Sequence, residues 1–149
     1  MKRWYFDLKR VVQEDDHGCG IASVAIACGV TYERARAEFF PRKRVFVDDE
    51  SLHVVSDQMI NVVRRLGFSC SMRDTFRGIM RPVLVPFAWH PGSTYSQVHC
   101  VVWDPWAKKF IDPGYDHDYN HESKFYIDLW KRSQYRVLAI TGRAYGRYA

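Results

Sequence analysis

Cys19 stands between Gly18 and Gly20 at the head of an apolar run, IASVAIACG. A helix starting at this cysteine would set the positive end of its dipole against the sulfur and favour the thiolate. The flanking glycines allow a tight entry to that helix and close approach by a substrate. A thiol is still a weak nucleophile until a base or a positive neighbour ionises it. The best candidate for that base is His99, within QVHCVVW. Strand alternation puts Gln97, His99 and Val101 on one face and Val98, Cys100 and Val102 on the other. Asp112 ends the next expected strand, just before Pro113 and Gly114. A hairpin turning near residues 104 to 107 would bring its carboxylate to His99, to fix the imidazole tautomer and steady the charged ring. Gln13, shortly upstream of Cys19, is close enough in sequence to return its amide to the nucleophile. That amide and the Cys19 backbone N–H would form the two halves of an oxyanion hole. The chemistry such a set performs is acyl transfer: attack on an amide or ester carbonyl through a thioester.

These residues need elements to hold them. Ile21 to Cys28 leave almost no polar face, which places their helix in the middle of a domain. Gly29 is a natural terminator. Thr31 caps a second expected helix, TYERARAEFF, which Pro41 stops. Asp48, Asp49, Glu50 and Ser51 form an acidic, capping start for a third. Its apolar residues Leu52, Val55, Met59, Val62 and Leu66 lie on one helical face, with Arg64 and Arg65 at the dipole-favoured end and Gly67 closing it. After Gly67 the pattern turns to strands: FSCSM, PVLVPFAW, SQVHCVVW and KKFID, the last two joined by a turn at Asp104-Pro105-Trp106-Ala107. DTFRGIM is read as one helical turn, residues 113 to 124 as loop, FYIDLWKR as a short helix and YRVLAIT as a last strand. Helices first and an antiparallel sheet second make an α+β domain.

Bulk composition narrows the classes. Of 149 residues, 47% are hydrophobic and 15% aromatic, which excludes a disordered or fibrous chain. No apolar run approaches the roughly 18 residues a membrane helix needs. The start, MKRWYFDLKR, is charged and interrupted by Asp7, so it lacks the apolar centre of a secretion signal. A cytoplasmic setting is the default, with secretion or injection by another route left open. The net charge of +5 is spread widely; Arg42, Lys43 and Arg44 are the one compact basic cluster, and acids follow at once. A coherent basic stripe for nucleic acid is lacking. Cys28, Cys70 and Cys100 do not form a disulfide framework or a zinc knuckle with Cys19. His117 and His121 have the spacing of helical metal ligands, but the Gly, Asp and Asn around them describe a loop, so neither metal nor cofactor is expected. His17 is close enough to Cys19 to touch a cleft and is otherwise a solvated loop histidine.

In order along the chain, the markers are Gln13 ahead of Cys19, Cys-Gly opening an Ala-rich helix, SLHVVSDQMINVVRRLGF, PVLVPFAW, His99 before a valine pair, and Asp112-Pro113. This series, over roughly residues 10 to 115, resembles the bacteriocin-processing peptidases, bacterial papain-like domains at the front of some peptide-exporting ABC transporters. The resemblance implies a papain-like fold and a thiol protease acting on a protein or peptide, with Cys19 as nucleophile, His99 as base, Asp112 as orienter and Gln13 as oxyanion donor. Gly18 stands where that family usually has Asp, with Asp15 and Asp16 earlier, and the HPGSTYSQV loop before His99 is long. No transporter follows, so one papain-like domain over residues 1–149 is expected. The same set of side chains also serves deamidation, transglutamination and other acyl exchanges, including those of an effector or toxin. A binding protein on a degenerate scaffold of this kind is the non-enzymatic alternative.

Overall fold

The helix on which the rest is built has no charged residue and therefore no face to offer to water. In the computed structural model, which describes residues 7–15, 18–40, 57–89, 98–114 and 121–143, α1 spans Cys19–Cys28 with every residue buried. It ends at Gly29, whose φ of 68° is the left-handed conformation glycine accepts. Helix α2 (Tyr32–Phe39) is capped as expected, the Thr31 hydroxyl oxygen accepting from the Arg34 N–H at 3.1 Å. Helix α3 (Asp57–Arg65) buries Met59 and Val62 and carries Arg64 and Arg65 in its last turn. Gly67, at φ 91°, closes it. The acidic start at 48–51, Leu52, Val55, Pro41 and the basic cluster 42–44 lie outside the described residues.

Five strands follow: β1 (Phe68–Arg73), β2 (Val83–Ala88), β3 (Val98–Asp104), β4 (Lys109–Ile111) and β5 (Val137–Arg143), with helix α4 (Ser123–Ser133) between the last two. All pair antiparallel in the order β1-β5-β2-β3-β4, so the chain is a mixed α+β domain. One local expectation fails. DTFRGIM forms no helical turn: Gly78 takes φ 76°, and Phe76 is drawn into an aromatic cluster with Trp103, Phe110 and Trp130. Burying that ring outweighs the weak helical preference of so short a segment.

The sheet is covered on both faces. Leu84, Cys100, Val102, Leu138 and Ile140 pack under α1 and α3, with α2 against both helices. Val83, Val85, Phe87, Val101, Val137 and Ala139 pack under Tyr126 and Leu129 of α4. Strand β2 is consequently buried at every residue, as a two-sided strand must be. The alternation expected of β3 holds: Val101 belongs to the α4 side, Cys100 and Val102 to the α1 side. Among the described residues no helix is long and apolar enough to cross a membrane.

A single buried hydroxyl ties the central helix to this sheet. Strand β4 pairs no further along β3 than Val102. The Cys100 carbonyl takes a donor from the helix instead, Ser23 Oγ at 3.0 Å. Replacing Ser23 with Ala leaves that carbonyl without this donor and is expected to lower unfolding free energy by about 1–3 kcal/mol in urea titrations. A loss under about 0.3 kcal/mol would mean that the hydroxyl is not needed there.

Candidate active site

His99 is delivered by β3 and Asp112 by the end of β4, and the register between the strands decides that they meet. Val102 faces Ile111, Trp103 faces Phe110 and Asp104 faces Lys109. The turn is closed by Asp104 Oδ1, which accepts from the Trp106 and Ala107 N–H groups at 3.0 and 3.1 Å. Beyond Ile111 the chain leaves the ladder, and Asp112 Oδ1 accepts from His99 Nε2 at 2.6 Å. Both side chains are almost dry, 7% exposed for the histidine and 2% for the aspartate.

The third member comes from the other layer. Cys19, in the first turn of α1, is buried, and its sulfur is hydrogen-bonded to the His99 ring. Because Nε2 faces Asp112, the ring nitrogen left for the sulfur is Nδ1. Strand β4 pairs β3 only from Val102 to Asp104, so it does not flank His99, and the head of α1 meets the ring there. Burial alone would pull the imidazolium pKa down. The hydrogen bonds the ring donates to Asp112 and Cys19, with their charges, outweigh it and push His99 up from 6.5 to about 9. At neutral pH the ring therefore carries its proton. Trp89 stacks on it at 5.3 Å and 26°, and Phe87 meets it edge-on at 5.6 Å.

The other thiols differ. Burial pushes Cys28, Cys70 and Cys100 up, with the nearby Cys70 adding to the effect on Cys28 and Cys19 adding to that on Cys100. They stay protonated and unreactive at neutral pH.

Gln13 is buried beside the helix entry, and its amide is held in an unexpected way. Nε2 donates at 3.0 Å to the carbonyl of Asp15, which also accepts the Gly18 N–H at 2.9 Å. The amide thus braces the turn that feeds Cys19. The same segment grips the Asp112 turn: Gln13 N–H donates to the Pro113 carbonyl at 2.7 Å, and the Arg10 guanidinium donates to the carbonyls of Asp112 and Gly114. Arg10 was not legible from the sequence, because its partners are backbone atoms about a hundred residues away.

Asp15, Tyr32 and Arg36 were also missed. Asp15 Oδ2 accepts from the Tyr32 hydroxyl at 2.5 Å and from Arg36 Nε at 3.2 Å. Burial, then the Asp15 bond and charge, push the Tyr32 phenol well up, so it is a neutral donor. Its hydroxyl occupies the place where a Cβ on residue 18 would stand, which is the physical reason for glycine before Cys19. The αi, i+4 spacing of Tyr32 and Arg36 was the one available signal that both face the same way. His121 stacks on Phe125 at 3.9 Å, while His117 and His17 lie outside the described residues. Among the described residues no three His, Cys, Asp or Glu side chains gather to hold a metal ion.

Two outcomes follow from this geometry. Gly18→Ala, at an ordinary φ of −89°, should cost about 1–3 kcal/mol through overpacking. It should cost clearly less in a Tyr32→Phe background, and equal losses in a double-mutant cycle would exclude the proposed clash. The raised His99 sets a pH window. Its stabilisation is complete below the unfolded value of 6.5 and is lost as pH rises through about 9. Urea unfolding between these limits should show stability falling with pH in the native protein and a flatter profile in His99→Gln. Comparison with protein-family models, with curated proteins and with solved structures finds no match to this chain.

Proposed function

We propose that this protein is a papain-like cysteine hydrolase that cleaves amide bonds in a protein or peptide. One observation carries the reading: a buried Cys19–His99–Asp112 hydrogen-bonded chain with its sulfur at the head of a helix. The three groups come from different elements, and ordinary packing has no use for an imidazole bonded to both a sulfur and a carboxylate in a dry place.

In this mechanism the Cys19 thiolate attacks the carbonyl carbon of the substrate. Negative charge moves to the carbonyl oxygen, next to the first backbone N–H groups of α1, with the second N–H of the Gln13 amide, whose first bonds the Asp15 carbonyl, as side-chain donor. His99 gives its proton to the leaving nitrogen as the C–N bond breaks, and an amine departs. The thioester left on Cys19 is then attacked by water, whose proton His99 accepts, and the acid is released as the thiolate re-forms. Asp112 holds the ring in one tautomer throughout. Deamidation and transglutamination follow the same steps with a side-chain amide as substrate or an amine in place of water.

Brief iodoacetamide treatment followed by peptide mapping should label Cys19 far faster than Cys28, Cys70 or Cys100. Equal labelling of all four would remove the activated thiol and leave a binding scaffold. Incubation with a proteome-derived peptide library, read by mass spectrometry, separates new termini from single-residue mass changes. Cys19→Ala should reduce either signal by at least about a thousandfold.

A further inference from the structure

We infer that Tyr126 is a positioning residue for this reaction, its hydroxyl locking the Asp112 carboxylate against rotation and so fixing the hydrogen bond to His99. The inference rests on the assignment of Cys19, His99 and Asp112 as the reacting set.

Asp112 has three donors in the structure. Oδ1 accepts from His99 Nε2 at 2.6 Å and from the Gly114 N–H at 2.8 Å, and Oδ2 accepts from the Tyr126 hydroxyl at 2.7 Å. Two donors on one oxygen leave the carboxylate able to swing about that oxygen. The third, on the opposite oxygen, sets its plane. Tyr126 can do this because α4 seats it rigidly: it is 1% exposed, and its ring packs on Phe110 at 5.2 Å and Phe87 at 6.0 Å. Burial, then the charge of Asp112 and the bond to it, push the phenol well up, so the hydroxyl keeps its proton across the working range. The oxygen it serves would otherwise be a buried carboxylate oxygen without this donor, a costly arrangement in a dry site. Among the described residues, the other titratable and charged groups around this centre are Cys19 of α1, Cys100 of β3, Arg10 of the N-terminal segment and His121 ahead of α4.

The test is the titration of the His99 ring, followed by carbon-13 NMR in the full chain. In the native protein the ring should titrate near 9. Tyr126→Phe keeps the ring and removes the hydroxyl: loss of the donor alone would make Asp112 more basic and raise the His99 titration, whereas loss of the carboxylate's position weakens the bond, so the titration should fall by about half to one pH unit, and a rise overturns the inference. Phe110→Leu loosens the same packing and keeps the hydroxyl; it should lower thermal stability and leave the His99 titration in place. A Tyr126→Phe titration superimposable on the native curve overturns the inference, and so does an equal shift in Phe110→Leu. Should the Phe variant not fold, the unmodified protein still decides. The Tyr126 hydroxyl proton should exchange slowly and move in step with the His99 titration, and a signal indifferent to His99 overturns the coupling. A native ring titrating near 6.5 instead would sink the hydrolase reading itself, a result distinct from either of these.

Discussion

The bond between His99 Nε2 and Asp112 Oδ1 is the interaction on which the rest of the site depends. It keeps a charged ring in a place from which water is excluded. Such a pair is poor value as a fold stabiliser, because removing two charges from water offsets most of their attraction. It persists only where every other lone pair and proton is satisfied. Here the Gly114 N–H and the Tyr126 hydroxyl complete the carboxylate, the sulfur of Cys19 completes the ring, and Trp89 covers its face. No buried side-chain polar atom among the described residues is left without a partner.

That requirement explains the layering. A sheet buried on one face would expose His99 or Cys19, since the alternation of β3 sends His99 to the side away from α1. Helix α4 closes the second face and supplies the tyrosine that the aspartate needs. Cys19 arrives from the first face because β4 is only three residues long and pairs no further along β3 than Val102. A longer β4 would extend the ladder toward His99, where the sulfur now sits. The shortness of this edge strand leaves the His99 ring open to Cys19.

The entry to α1 shows a second constraint, a carbonyl with two donors. Asp15 O receives both Gly18 N–H and the Gln13 amide, while the Asp15 carboxylate is held by Tyr32 and Arg36 of α2. The turn before the nucleophile is thereby fixed by its own backbone and by the next helix. A side chain at position 18 has no room here, because the Tyr32 hydroxyl fills that space.

Periodicity and glycine placement sufficed for the elements. An apolar run between glycines dictates a buried helix with Cys19 at its head, and alternation in QVHCVVW dictates the face of His99. Both follow from local backbone geometry, which the chain carries residue by residue. The Asp112 contact was legible too, because a hairpin links it to His99 through a turn whose chemistry is written in adjacent residues. Beyond that hairpin, local rules have no reach. Arg10 on the Asp112 turn, Tyr126 on the carboxylate, the Gln13 amide turned to Asp15 and Tyr32 over Gly18 all join segments whose separation no periodicity encodes. The sequence by itself determined which residues could react. Only the packing of two helical layers on one sheet decided how the site is held, since that depends on which side chains the closed core forces together.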